Sequence, residues 1–267
     1  MASAAIAGVA PAPDAGAAYA LARSLALAGP RPAASAAERR AHARVEGRFR
    51  RAGLRIGHDR FTVPGKGASR NVLGIRDGRS HCLRVIMAHT DSVPPAPGAD
   101  DNASGVGTLI ALAEAVAAAA QPPCDTWFVA TGSEERPYTR ARDHLGALAL
   151  ARRLRRFGRT GDVRFALSLD EIGRGRSFEL RSPASAPRTG VERALLAAAG
   201  RAEVAVRWVR DGADSNSDHR ELAHAGMPAM KLGVPDDACR HTACDTAARL
   251  QRGAFSRVLR VVAQLLD

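Results

Sequence analysis

Lysine is almost missing from this chain: Lys66 and Lys231 are the only two among 39 basic residues, and the rest are arginine. Aromatic residues make up 4% of the 267 positions, too few to supply a stacking platform for single-stranded nucleic acid. No run of about 18 apolar residues free of charge occurs anywhere, so no segment reads as a membrane-spanning helix. Four cysteines do not make a disulfide framework in a chain of this length. Cys82 and Cys124 lie within or beside apolar strand-like runs, where a buried thiol is the expected state. Cys239 and Cys244 flank His241 in Cys239-Arg240-His241-Thr242-Ala243-Cys244, a spacing that suits either a zinc site or a local disulfide.

Positive charge is in surplus, at a net +12. A polyanion partner would require that charge to be clustered. The arginines instead run from Arg23 to Arg260, with pairs such as Arg39-Arg40 and Arg152-Arg153, and read as a solvated surface. No specific nucleic-acid partner is expected. The first basic residue is Arg23 and Asp14 interrupts the alanine-rich start, a poor secretory signal that points to the cytoplasm.

With 46% hydrophobic residues, the chain can bury a substantial core. Ser35 ahead of the Ala-, Glu- and Arg-rich residues 36–53 predicts a helix start. Strand-like runs at 54–61 and 71–76 are separated by the turn signal Pro64-Gly65. From residue 82 onward, strand-like runs at 82–88, 126–131, 163–169, 177–181, 204–209 and 229–232 alternate with helical stretches at 104–120, 143–156, 191–199, 218–225 and 246–266. Alternation of this kind predicts an α/β fold, with a largely parallel mixed β-sheet covered by helices on both faces. We expect one domain over 31–267, preceded by a flexible or helical lead, 1–30.

Open α/β sheets bind ligands beyond the carboxyl ends of their strands, and the polar clusters fall there. His89 and Asp91 follow the strand ending at Ala88, Glu134-Glu135 follows Thr131, Asp170-Glu171 follows Leu169, and His241 lies in the loop after 229–232. Two metals about 3.5–4 Å apart need one carboxylate touching both, plus a histidine and a carboxylate for each. His89, Asp101, Glu135, Asp170 and His241 meet that count. Neighbours in an extended segment point to opposite sides, so Glu134 is left as a proton acceptor beside Glu135. Asp101 on its own could also cap the helix that starts near Ser104. Glu171 alternates out of the strand face and is left aside. His42, His58, His81, His144 and His224 show no ligand spacing and are expected at the surface.

The stretches His89-Thr90-Asp91-Ser92-Val93, Pro97-Gly98-Ala99-Asp100-Asp101-Asn102-Ala103-Ser104-Gly105, Glu134-Glu135, Asp170-Glu171-Ile172-Gly173, Ser217-Asp218-His219 and His241-Thr242-Ala243-Cys244-Asp245-Thr246 resemble the successive motifs of the double-zinc bacterial aminopeptidases. Order and approximate spacing agree over 71–250, and Asn71-Val72-Leu73-Gly74 resembles that family's lead-in. The resemblance implies two Zn²⁺ ions, replaceable by other divalent metals, and a peptide or small aminoacyl substrate. It implies that Asp101 bridges the metals, with His89 and Asp170 completing one site and Glu135 and His241 the other. Glu134 matches the general base, Asp91 the acid that orients His89, and His219 a structural position. It also implies a cis Asp101–Asn102 peptide, and Cys239 and Cys244 match a pair that is disulfide-bonded in some relatives. The chain departs from the family at 136–145, where a longer and more polar segment precedes Gly146-Ala147, and at Arg240, where some relatives place a tyrosine.

An aminopeptidase working through a metal-activated water is therefore the expected function. A glutaminyl cyclase-like transferase with a single zinc shares the resemblance and keeps a longer segment after the glutamate pair. A non-catalytic binding module on the same scaffold would be expected to have lost ligands, and none is missing.

Overall fold

The computed structural model describes residues 11–135, 144–183, 189–211 and 216–267. Among these, eight strands form one mixed sheet: β1 (Arg55–Val63), β2 (Gly67–Arg76), β3 (Ser80–His89), β4 (Cys124–Thr131), β5 (Val163–Leu169), β6 (Ser177–Pro183), β7 (Ala205–Asp211) and β8 (Ala229–Gly233). Their order is β1-β2-β4-β3-β5-β8-β6-β7. The four central strands, β4-β3-β5-β8, run parallel. The flanks bring in antiparallel pairs: β1 with β2 through the Pro64-Gly65 turn, β2 with β4, and β6 with β8.

The central strands read as unbroken apolar runs because both of their faces are covered. In β3, Ile86 and Ala88 pack to one side, and Val85 and Met87 to the other. The first side is closed by α1 (Ala15–Leu27), α2 (Ala36–Arg51), α3 (Gly105–Ala118), the helix Thr189–Arg201 and the last helix Arg252–Leu266. The second is closed by α4 (Leu145–Arg156) and the short helix His219–His224. In chain order the last three are α5 (Thr189–Arg201), α6 (His219–His224) and α7 (Arg252–Leu266). Within the lead, Asp14 caps α1 by accepting from Gly16 N and Ala17 N, and Leu21 and Leu25 are buried in the core.

The predicted closing helix over 246–266 is divided. A 3₁₀ turn at Ala247–Arg249 precedes α7, and between them Leu250 is extended and buried while Gln251 N donates to Gly173 O at 2.8 Å. Burying Leu250 and making that bond to the loop after β5 outweighs the helical periodicity.

The expectation of buried thiols at Cys82 and Cys124 is overturned: the two form a disulfide between β3 and β4, with Cα atoms 4.8 Å apart. Strand register decides this, since the irregularity between Ser80 and Leu83 sets Cys82 beside the start of β4. The link closes a loop of 42 residues. Replacing both cysteines with alanine is expected to lower unfolding stability by roughly 2–4 kcal/mol in denaturant titration. An unchanged midpoint would mean that the cross-link adds nothing to stability.

Candidate active site

Parallel pairing of β4, β3 and β5 ends three strands at one edge, and each releases an acidic or histidine residue there. His89 is the last residue of β3, Glu134 and Glu135 follow β4, and Asp170 follows β5. The loop after β8 returns to place His241 across from them. Asp101 comes from the six-residue π-type turn Ala99–Ser104 that leads into α3.

That turn is built by its own sequence. Gly98 has φ 66°, and a Cβ there would sit 2.6 Å from the Asp101 carbonyl oxygen, so the chain can fold back only with glycine. Gly105 lets the start of α3 press on β5, since a Cβ there would meet the Leu169 carbonyl oxygen at 2.3 Å. Asn102 donates to that same carbonyl at 2.9 Å and accepts from Gly105 N at 3.0 Å. Asn102, not Asp101, therefore plays the capping role and leaves the Asp101 carboxylate free for the cluster. The Asp101–Asn102 peptide is cis, as expected. Asp245 holds the turn from the other side, accepting from Asp100 N at 2.8 Å and Asp101 N at 3.1 Å.

The Asp101 carboxylate is shared between two histidines. Oδ1 lies 3.1 Å from His89 Nε2, and Oδ2 lies 3.2 Å from His241 Nε2. Asp170 Oδ1 also faces His89 Nε2 at 3.3 Å, and Glu135 Oε2 faces His241 Nε2 at 2.9 Å. His89, Asp101, Glu135 and Asp170 are buried, whereas the His241 side chain is 35% exposed at the mouth. His89, Asp101 and Glu135 offer three donor atoms within 4.8 Å of one another, enough to hold a metal ion. Glu135 Oε1 is buried without a hydrogen-bond partner among the described residues, a costly state for a carboxylate unless a cation meets it. The donor set thus suits a divalent metal.

The electrostatics agree. Burial opposes charge on His89, yet Glu134, Asp101, Asp170 and Asp91 raise its pKa well above the ordinary value. Hydrogen bonds to Asp101 and Glu135 hold His241 up to about 10. Burial, and then the nearby Asp101 charge, push Glu135 well above the usual carboxylate range. A cluster that captures protons in this way attracts any positive charge, a dication included. Because a ligating imidazole must be neutral, protons and metal compete there.

Asp91 reaches both the glutamate pair and His89. Its carboxylate oxygens accept from Glu134 N at 3.0 Å and Glu135 N at 3.1 Å, which fixes the backbone of the glutamate pair. His89 Nδ1 lies 3.3 Å from the Asp91 carbonyl oxygen and 3.6 Å from its carboxylate. A neutral ring donating from Nδ1 to that carbonyl leaves the Nε2 lone pair facing Asp101 and Asp170.

Residues 71–266 match peptidase family M28. The chain belongs to that family. Among solved structures, the fold is similar to an aminopeptidase from Aneurinibacillus sp. strain AM-1 (16% identity, TM-score 0.84, 95% of this chain and 93% of that one). It is similar as well to a zinc aminopeptidase from Bacillus subtilis (15%, 0.85, 97% and 95%). A glutaminyl cyclase from an Acidobacteriales bacterium is alike to the same degree (20%, 0.84, 100% and 98%). No curated protein matches by sequence. M28 membership supports a metal-dependent hydrolase of the peptidase class, while likenesses this distant establish the fold.

Several residues of this M28 site lie apart from the expected set. Glu171, left aside on strand alternation, has φ 58°, which turns it back into the cleft wall, where it is buried. Lys231 of β8 is buried beneath it, with Nζ 3.0 Å from Asp170 Oδ2 and 3.2 Å from Glu171 Oε2. His144, expected at the surface, is buried and borders the cleft, and His42 is buried too, its Nε2 2.7 Å from Thr90 Oγ1. Both are enclosed by tertiary packing that histidine spacing does not register. Glu38 begins as a helix-cap partner of Ser35 and ends under the site: Oε1 accepts from Ser133 N at 2.9 Å, and Oε2 from Ala34 N at 2.7 Å. Arg31 is buried and donates to Thr90 O, Pro97 O and Gly98 O, clamping the loop before the turn. His219 is buried against Asp211 Oδ2 at 2.9 Å. Arg240 borders the cleft with Nη1 3.9 Å from Glu171 Oε2. Residues 136–143, most of the stretch in which the chain departs from the family pattern, lie outside the described residues.

Proposed function

We propose that the chain is a zinc aminopeptidase that releases N-terminal residues from peptides. The observation that carries this reading is the shared Asp101 carboxylate, one oxygen toward His89 and the other toward His241. In it, Asp101 would be shared by two metals, with His89 and Asp170 as the further residues that would hold one and Glu135 and His241 those that would hold the other. Bound there, a pair of zinc ions supplies Lewis-acid chemistry, acidifying a water and polarising the scissile carbonyl. Glu134 accepts the proton from the attacking water and returns it to the leaving amine. Asp91 keeps Glu134 and Glu135 at their stations through the two backbone hydrogen bonds, so that the base and the ligand face the same centre.

One observation favours the single-zinc, cyclase-like alternative. Lys231 places a buried ammonium on Asp170 Oδ2, a positive charge at one of the two proposed metal positions. Metal analysis separates the readings: after mild dialysis, zinc content should approach two equivalents per chain, with hydrolysis of free-amine aminoacyl substrates and none of N-blocked ones. Full activity at one equivalent, or cyclisation of N-terminal glutamine in place of hydrolysis, would establish the alternative. The two disulfides, Cys82–Cys124 and Cys239–Cys244 in the loop that carries His241, are bonds that persist where thiols are oxidised and weigh against the cytoplasmic reading. No described helix is long and apolar enough to cross a membrane.

A further inference from the structure

His144 precedes α4, the helix after the glutamate pair, and its ring lies between two carboxylates contributed by different parts of the fold. Nε2 is 3.2 Å from Glu134 Oε1, and Nδ1 is 3.4 Å from Glu221 Oε1 on α6. Glu221 is anchored in turn by its neighbour, with Arg220 Nη2 donating to the same oxygen at 2.7 Å. The backbone is also committed: His144 N donates to Glu134 O at 2.7 Å, and Leu145 N to Ser133 O at 3.1 Å. His144 has φ 54°, a left-handed conformation that costs a non-glycine residue energy and persists where the surroundings impose it. The ring is buried at the edge of the cleft. None of these contacts reaches His89, Asp101, Glu135, Asp170 or His241, so they serve no proposed metal ligand directly.

We propose that His144 is a positioning residue for catalysis, in which its ring, braced by Glu221, holds the Glu134 carboxylate in the orientation from which it exchanges protons. A free glutamate side chain samples many rotamers, and a base must sit within hydrogen-bond reach of the proton it takes. Asp91 reaches the Glu134 backbone, and the ion-pair contact with His144 Nε2 reaches its side chain. Glu221 keeps the ring from rotating away, because an imidazolium facing a carboxylate from each nitrogen has no second orientation with the same partners. This inference rests on Glu134 as the base and holds for hydrolysis or cyclisation alike, since either reaction moves a proton there.

The test uses the zinc-loaded protein and four variants: His144→Leu, His144→Gln, Glu134→Asp and the double variant His144→Leu/Glu134→Asp. His144→Leu keeps an apolar side chain in the buried position and removes both carboxylate contacts, whereas His144→Gln can still donate to Glu134. His144→Leu is expected to lower kcat about 10- to 100-fold, the scale of a misplaced catalytic group. KM and zinc content should stay within about twofold, with His144→Gln recovering most of the loss. If His144 acts through Glu134, the kcat losses of the two single substitutions should fail to add in the double variant. The proposal is overturned if His144→Leu retains kcat, if the losses add fully, or if His144→Gln loses zinc and thermal stability along with activity. Glu134→Gln tells the two levels apart. An active Glu134→Gln defeats the base assignment itself, whereas an inactive one beside a fully active His144→Leu defeats only the positioning role.

Discussion

Glu134→Gln is expected to lose about 10² to 10⁴ of its kcat, the usual contribution of a proton-transfer group, while binding zinc as the parent protein does. The amide is nearly isosteric and can donate a hydrogen bond, but it cannot accept a proton from water and pass it on. The loop should survive the change, because Asp91 holds the backbone at 134 and 135 through N–H groups that the substitution leaves intact. Glu135→Gln should behave differently. Glu135 faces His241 and carries a buried Oε1 that has no partner among the described residues, so removing its charge should weaken the metal position proposed for it. Zinc content should fall together with kcat. Both substitutions need to be measured on the same preparations, by metal analysis and steady-state kinetics. A Glu134→Gln protein that retains most of its kcat, or that sheds zinc as readily as Glu135→Gln, would reverse the roles of base and ligand.

Stripping the metal with a chelator is expected to abolish turnover and to lower the melting temperature, with zinc restoring both. A ligand bound only by the folded state, at a free concentration near a hundred times its Kd, stabilises by about 2.7 kcal/mol. For a domain of this size each kcal/mol corresponds to roughly 2–4 °C, so the shift should be about 5–10 °C. The difference should also depend on pH. In the stripped protein His241 and His89 have raised pKa values. Their contribution is therefore fully present below the unfolded histidine pKa and is lost as pH rises, for His241 through about 10. Metal binding runs the other way, because acid protonates the same rings and displaces the ion. The gap in melting temperature between loaded and stripped protein should widen from mildly acidic to mildly alkaline buffer. Turnover and melting temperature that ignore the chelator would end the metal-dependent reading.

The residues brought together at the centre show how far local pattern reaches. Strand and helix alternation implied a parallel sheet, and a parallel sheet implied that His89, Glu134-Glu135 and Asp170 leave at one edge. This could be read without coordinates because strand period and strand ends are properties of a few consecutive residues. The turn around Asp101 entered through its likeness to a family motif, while its local reading offered Asp101 as the helix cap, a role the structure gives to Asn102. Glu171 was misread for the opposite reason: strand alternation stops where the chain leaves the strand, and its positive φ directs the side chain back to the cleft.

Local pattern accounts for the α/β class, the central parallel strands, the chemical identity of the candidate donors and the strand ends from which they project. Which donor faces which is set by contacts between distant parts of the chain. Asp170 and His89 are 81 residues apart, His144 and Glu221 are 77 apart, and Lys231 reaches Asp170 across the β5–β8 pairing. The Cys82–Cys124 link was decided at the same level, by the register between two neighbouring strands. Local spacing constrains backbone dihedrals over no more than a turn or two. Partners across strands are selected instead by register and by the need to satisfy every charge that burial removes from water.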